Sequence, residues 1–348
     1  MACDMLKTPA KPSAALLENM QCTTENTLKD PLIRREWHIV ARAADVADNK
    51  PLGVKLLGED VVLWRKGPEI VAWLDLCIHR GARLSLGRVE NGCLSCPYHG
   101  WTYDVSGQCV RIPAHPHQAI PGRAKANTLF CTQEYGMVWV AFEKPEAGVP
   151  AFPEWGRPDY RTLVRGPFRV MAQGPRIIEN FLDLAHLAFV HPGILGDENR
   201  AEIGRYNVTS TADGVEADEI DIWQPDGVGT GQGGMAKYVY RVTRPLSAYL
   251  EKWVGDVHLT LMLAVAPVDE VSSTAWMIRS VNNVNEILSP ELYQNLDRVF
   301  LQDVPIVESQ RPEFLPLDLQ AELHLNCDRT SIAYRQWLRQ RGFVYGTA

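Results

Sequence analysis

The stretch CIHRGARLSLGRVENGCLSCPYHGW, residues 77–101, holds three cysteines and two histidines, and two of the cysteines fall with the histidines in two tight pairs. One residue separates Cys77 from His79, two separate Cys96 from His99, and residues 80–95 lie between the pairs. Two thiolates and two imidazoles can hold one zinc ion in a tetrahedron. Zinc sites, however, usually space paired ligands by at least two residues, and Cys77-x-His79 is tighter than that. The spacing suits an iron–sulfur cluster held by two adjacent β-loops, each giving one Cys and one His.

The neighbours agree with a cluster. HRG follows the first pair and CPYHGW contains the second. Pro97 stiffens its loop, and Gly100 lets the backbone come close enough for N–H groups to reach cluster sulfurs. These details resemble the Rieske [2Fe–2S] proteins, in which two cysteines bind one iron and two histidines the other. The resemblance implies that Cys77, His79, Cys96 and His99 are the cluster ligands.

Outward from this stretch, residues 32–142 read as short strands between turn signals, for example WHIVARAADV, EIVAWLDLCIH and YGMVWVAFE. A Pro- and Gly-rich segment, EKPEAGVPAFPEWGRPDY, marks a boundary. The expected division is an N-terminal arm over 1–30, an all-β [2Fe–2S] domain over 31–145 and a second domain over 146–348. In the second domain a helix is expected over 175–191. Strands such as VHLTLMLAVAPV follow, with a helix capped by Ser289 and opened by Pro290, and a last helix near 330–340 stopped by Gly342. Helices packed on an antiparallel sheet make this an α+β chain.

Length and composition set outer limits. The chain has 348 residues, enough for about two domains. Its net charge of −7 argues against a broad nucleic-acid surface and lends support to a cationic substrate. No apolar run is long enough to span a membrane, and the first 30 residues lack the core of a secretory signal, so the cytoplasm is the expected compartment. Cys3, Cys22, Cys93, Cys109, Cys131 and Cys327 share no spacing and read as plain thiols. GTGQGG at 229–234 matches a dinucleotide fingerprint in letters only, because a strand-like segment follows it instead of a helix. HPH at 115–117 reads as surface.

A second constellation decides whether there is chemistry beyond electron carriage. In ENFLDLAHLAFVHPG, residues 179–193, Asp183 and His186 are three apart, on one face of a helix. His191 precedes Pro192, so the helix should end near Val190 and let His191 turn back toward His186. Two histidines and a carboxylate form the triad of non-haem Fe(II) oxygenases. Both Asp183 and Asp303, in FLQDVPIVESQRP, are candidates for the carboxylate.

With both signatures in order, the chain resembles the Rieske non-haem iron oxygenases, the terminal α subunits of multicomponent oxygenases. The resemblance covers nearly everything from residue 32 to 345. It rests on Cys77, His79, Cys96, His99, Asn180, Asp183, His186, His191 and Asp303. It implies that His186, His191 and Asp303 bind a mononuclear iron with Asn180 nearby. It also implies that Asp183 bridges His186 to His99 of a neighbouring subunit in a homotrimer, and that the second domain is a helix-grip fold. Dioxygen is then the co-substrate, and electrons come from a separate NAD(P)H-dependent reductase, with or without a ferredoxin.

Details such as DVPIVESQRP look most like the α-only branch: N-demethylases of methylxanthines, O-demethylases of methoxyarenes and hydroxylases of guanidinium alkaloids. N- or O-demethylation of a small heterocycle or arene is the leading expectation. Site-selective hydroxylation, arene cis-dihydroxylation and a Rieske electron-transfer protein are the alternatives. The pocket is expected on strands around 258–278 and 235–240.

Overall fold

The computed structural model describes residues 27–227, 229, 231–282 and 290–348. Most of the N-terminal arm, with Cys3 and Cys22, and the Ser289 cap lie outside these residues.

A short helix, α1 (Pro31–Arg35), opens the described chain, with Pro31 in its first turn and Asp30 as N-cap, accepting from the Leu32 N–H at 2.9 Å. Ten strands follow: β1 (His38–Arg42), β2 (Leu52–Leu56), β3 (Glu59–Lys66), β4 (Glu69–Leu74), β5 (Arg88–Glu90), β6 (Cys93–Ser95), β7 (Thr102–Tyr103), β8 (Cys109–Arg111), β9 (Phe130–Glu134) and β10 (Met137–Ala141). They form three antiparallel sheets, ordered β1-β10-β9, β2-β3-β4 and β5-β6-β7-β8. β10 is buried at every position, which is why MVWVA is a continuous apolar run without alternation. The loop between β4 and β5 carries Cys77 and His79, and the loop between β6 and β7 carries Cys96 and His99.

The second half is one seven-stranded antiparallel sheet. Its strands are β11 (Tyr160–Val170), β12 (Asn207–Thr211), β13 (Gly214–Gln224), β14 (Gly234–Arg244), β15 (Ser247–Val254), β16 (Val257–Pro267) and β17 (Ser273–Asn282), in the order β11-β17-β16-β15-β14-β13-β12. Helices α2 (Gly174–Leu182), α3 (Leu187–Val190), α4 (Pro290–Ser309) and α5 (Arg329–Gln340) accompany it. The final helix stops where expected, at Gly342 with φ of +66°, whose N–H bonds the Arg339 carbonyl. The opposite face of the sheet is also covered. Met262, Ala264, Trp276 and Ile278 pack there against Ile39, Met137 and Trp139 of the β1–β10 layer. β16 is therefore buried on both faces over most of its length.

One expectation fails locally. The helix over 175–191 is not continuous: α2 ends at Leu182, and Asp183 adopts an extended conformation with ψ of 133°. Its carboxylate accepts from the Ala185 N–H at 2.8 Å, the local alternative to helix that Asp side chains offer. Asp183 and His186 thus meet across a turn, not along one helix face. α3 then runs for a single turn, and His191 leaves it with φ of −118° and ψ of 47°, outside the helical region that the following Pro192 disfavours.

A buried ion network fixes α2. Arg335 of α5 grips Glu179 with two bonds of 2.5 and 2.9 Å, and Arg176 reaches Glu322 at 2.8 Å, with Arg335 also paired to Glu322. Arg176 and Arg335 are nearly sealed from solvent. Glu179→Ala leaves buried guanidinium charge uncompensated and should cost about 3–5 kcal/mol, read by chemical denaturation.

Candidate metal centres

The break between α2 and α3 sends His186 and His191 toward α4, where Asp303 meets both. His186 Nε2 and His191 Nε2 lie 3.5 and 3.1 Å from the same Asp303 oxygen, Oδ1. One ligand atom from each of the three residues falls within 4.8 Å of the others. Gln302 Oε1 sits 3.0 Å from His191 Nδ1, so that nitrogen carries the proton and donates it. In the neutral, metal-binding form of the ring, the lone pair of His191 Nε2 then faces a carboxylate oxygen, acceptor against acceptor. Asp303 Oδ1 is buried with no hydrogen-bond partner among the described residues. A cation among these atoms resolves the conflict, and two imidazoles with one carboxylate suit ferrous iron with positions left open.

Of the two candidate carboxylates, only Asp303 faces Nε2 of both histidines. Asp183 addresses the other nitrogen of His186, with Oδ2 3.7 Å from Nδ1. Burial pushes the Asp183 carboxyl up, but the His186 ring and local backbone N–H groups outweigh this and hold it below the usual range. Gln302→Leu removes the group that orients His191. Retention of mononuclear iron should fall about 10–100-fold while the cluster spectrum persists; metal analysis of dialysed protein reads this.

A cavity of about 90 Å³ opens onto the triad. Its wall is mostly apolar: Phe181, Leu195, Tyr240, Leu250, Leu261 and Met277 are among the lining residues, with Asn180 beside the histidines. Tyr238, Tyr240, Leu261 and Met277 fall in the expected strand ranges. Two ends of those ranges do not line it. Met235 is exposed, and His258 instead lies 2.5 Å from Tyr160 Oη and stacks on Trp253. Phe300 of α4 contributes a wall that sequence patterns did not indicate.

At the other centre the two residue types separate by depth. Cys77 and Cys96 are buried, His79 is half-buried and His99 exposed. The histidine rings lie 4.5 Å apart, and His79 stacks flat on Trp101 at 4.4 Å. Burial and then the adjacent Cys77 thiol push the Cys96 thiol up, so a cation beside it is what would favour its thiolate. The buried His79 Nδ1 has no hydrogen-bond partner among the described residues. Paired inner thiols and paired outer imidazoles fit a cluster with one sulfur-held and one nitrogen-held iron.

Gly100 has φ of +68° and packs where a side chain would crowd Pro113, so its freedom serves the turn itself. Tyr103, one strand further on, was not singled out by spacing, yet its hydroxyl lies 3.1 Å from Cys77 Sγ. Burial keeps that hydroxyl protonated, so it donates to a thiolate. The decoys fall away: HPH at 115–117 is exposed, and a strand, β14, begins at Gly234 where a dinucleotide fingerprint needs a helix. Cys93, Cys109, Cys131 and Cys327 are free thiols.

Residues 36–132 match the Rieske [2Fe-2S] domain, and residues 170–342 match the vanillate O-demethylase oxygenase C-terminal domain. The chain therefore belongs to the Rieske non-haem iron oxygenases. It is 34% identical to the methylxanthine N1-demethylase of Pseudomonas putida over 324 residues, covering 88% of this chain and 89% of that protein. It is 30% identical to the oxygenase component of dicamba O-demethylase from Stenotrophomonas maltophilia, covering 68% of each. The solved structure of the N1-demethylase NdmA from Pseudomonas putida with caffeine superimposes with a TM-score of 0.77 at 30% identity, covering 93% of this chain and 96% of that one. As in its family, the chain is a terminal oxygenase with a Rieske cluster, a mononuclear iron and dioxygen as co-substrate. It works on a substrate with electrons from a reductase. No helix among the described residues is long and apolar enough to cross a membrane.

Proposed function

We propose that this oxygenase removes a methyl group from nitrogen or oxygen of a small heterocyclic or aromatic compound. The observation that carries the reading is the largely apolar cavity ending on His186, His191 and Asp303, in a chain whose relatives include N- and O-demethylases. His186, His191 and Asp303 hold the iron, and Cys77, His79, Cys96 and His99 hold the cluster. The iron supplies reductive activation of dioxygen. The protein supplies a dry apolar wall, an open side of the triad for the methyl carbon, and Asn180 beside it. Overall, R–X–CH3, O2, two electrons and two protons give R–X–CH2OH and water, and the hydroxymethyl product then loses formaldehyde to leave R–XH.

Electron entry uses Asp183. The proposal is that the chain forms a homotrimer in which His99 of one subunit meets Asp183 of the next. Exposure of His99 and of about a third of the Asp183 side chain supports this. The domain division at 145–146 and a cytoplasmic setting, where NAD(P)H is at hand, belong to the same proposal.

The test is reconstitution with a surrogate NADH-dependent reductase and a panel of N- and O-methylated arenes, following formaldehyde and oxygen uptake. Formaldehyde equal to demethylated product is expected, with no turnover when the reductase is omitted. A stable alcohol or a cis-diol without formaldehyde would replace demethylation by one of the other oxygenase outcomes.

A further inference from the structure

Two buried cations stand beside the substrate wall. Arg279 of β17 is 7% exposed, and among the described residues it makes no hydrogen bond, ion pair or ring contact; its Nε is buried and unpartnered. Lys252 of β15 is 3% exposed. Its ammonium donates to the Gly227 carbonyl and lies 5.5 Å from the centre of the Tyr238 ring. The two cations repel each other, and Asp226 is the acid that offsets the repulsion at Lys252. Burial lowers the Arg279 guanidinium to about 10, which leaves it charged near neutrality. Burial and Arg279 together lower the Lys252 amine to about 7.

Register places both on the sheet face that carries the cavity wall, each beside a lining residue and not itself part of the lining. Lys252 is paired directly with Tyr238, and Arg279 directly with Leu261, which pairs with Leu250. Directly opposed residues of antiparallel strands project to the same face. Tyr238, Leu250 and Leu261 are cavity wall, and the same cavity ends on the iron triad. A buried guanidinium with no partner among the described residues is costly to the fold unless something answers it. A ligand carboxylate answering it with paired charge-assisted hydrogen bonds removes that cost.

We infer that the substrate carries an anionic group, a carboxylate or comparable acid, which Arg279 and Lys252 hold at the strand wall while the methyl carbon faces His186, His191 and Asp303. This rests on the demethylase reading and names its substrate class. It also reverses the expectation drawn from the chain's net charge of −7, because the pocket's local charge has the opposite sign.

The test uses the full chain with its metals and a panel of 3- and 4-methoxybenzoates and N-methylindole carboxylates, each beside its neutral primary amide. Thermal melting should show stabilisation by at least one acid and none by its amide. Arg279→Leu should weaken that acid's binding at least tenfold, and Arg279→Lys should retain part of it. Without ligand, Arg279→Leu and Lys252→Met should melt above the parent protein, since each removes a buried charge. Equal shifts by acid and amide, no shift with any acid, or a ligand-free Arg279→Leu protein melting below the parent overturns the inference. Formaldehyde from caffeine unaffected by Arg279→Leu, with no preference for acids, sinks the inference and leaves the demethylase reading standing. Arg279-dependent binding of an acid with no formaldehyde from any substrate does the reverse.

Discussion

Asp303→Ala is expected to abolish mononuclear iron and substrate oxidation while leaving the cluster in place. Asp303 gives the one oxygen that both His186 Nε2 and His191 Nε2 approach. Without it the site keeps two imidazoles and no carboxylate between them to balance a divalent cation. Loss of an outer partner of a metal ligand costs about 10–100-fold, so loss of the ligand itself should take activity below about one-hundredth of the parent. The cluster-bearing loops lie in other sheets and touch none of these atoms, so the visible and reduced-state EPR spectra should not change. Iron analysis should show metal falling to the level that the acid-labile sulfide accounts for. Retained excess iron with normal turnover would mean that another group is the third ligand.

The second large effect is expected from Asp183→Asn. The carboxylate carries two tasks: Oδ1 caps the Ala185 N–H and Oδ2 lies near His186 Nδ1. An amide can still accept from Ala185 through its oxygen, so the turn and the triad should survive. The carboxylate that faces His186 Nδ1 is lost, and with it the proposed link to a neighbouring His99. Iron content and cluster spectrum should match the parent, while single-turnover reoxidation of the reduced cluster in the presence of substrate and oxygen slows by about 10–100-fold. A rate near that of the parent would remove Asp183 from the electron path.

Much of the candidate chemistry was legible because the residues suited to metal binding come in local pairs. Cys77 with His79 and Cys96 with His99 sit in single loops, and Pro192 marks where His191 must leave its helix. Asp303 was legible only as one of two candidate carboxylates, since no spacing rule reaches across more than a hundred residues; the α4 packing that brings it to the histidines is tertiary. β5, β6 and β7 are two or three residues long and carry no readable period. The Asp183 break was hidden inside a good helical pattern because a side chain, not a Gly or Pro, makes it. Tyr103, Gln302, Lys252 and Arg279 act through cross-strand or inter-helix neighbours, so their roles exist only once register is fixed.

The β1–β10 layer has a consequence for exchanging parts between relatives. Trp139 and Ile39 fill the back of the catalytic sheet against Trp276 and Met262, the Arg42 guanidinium bonds the Gly166 carbonyl at 2.6 Å, and the Leu57 N–H bonds the Pro267 carbonyl at 2.9 Å. The cluster-bearing half is therefore not a detachable cartridge. A chimaera joined at the Pro-rich connector alone would set foreign side chains against β16 and β17, the strands whose other face shapes the cavity. Grafts that carry the matching outward residues of β16 and β17 along with the donor's N-terminal half should keep both packing and selectivity, whereas simple connector-to-connector fusions should loosen the substrate wall from behind.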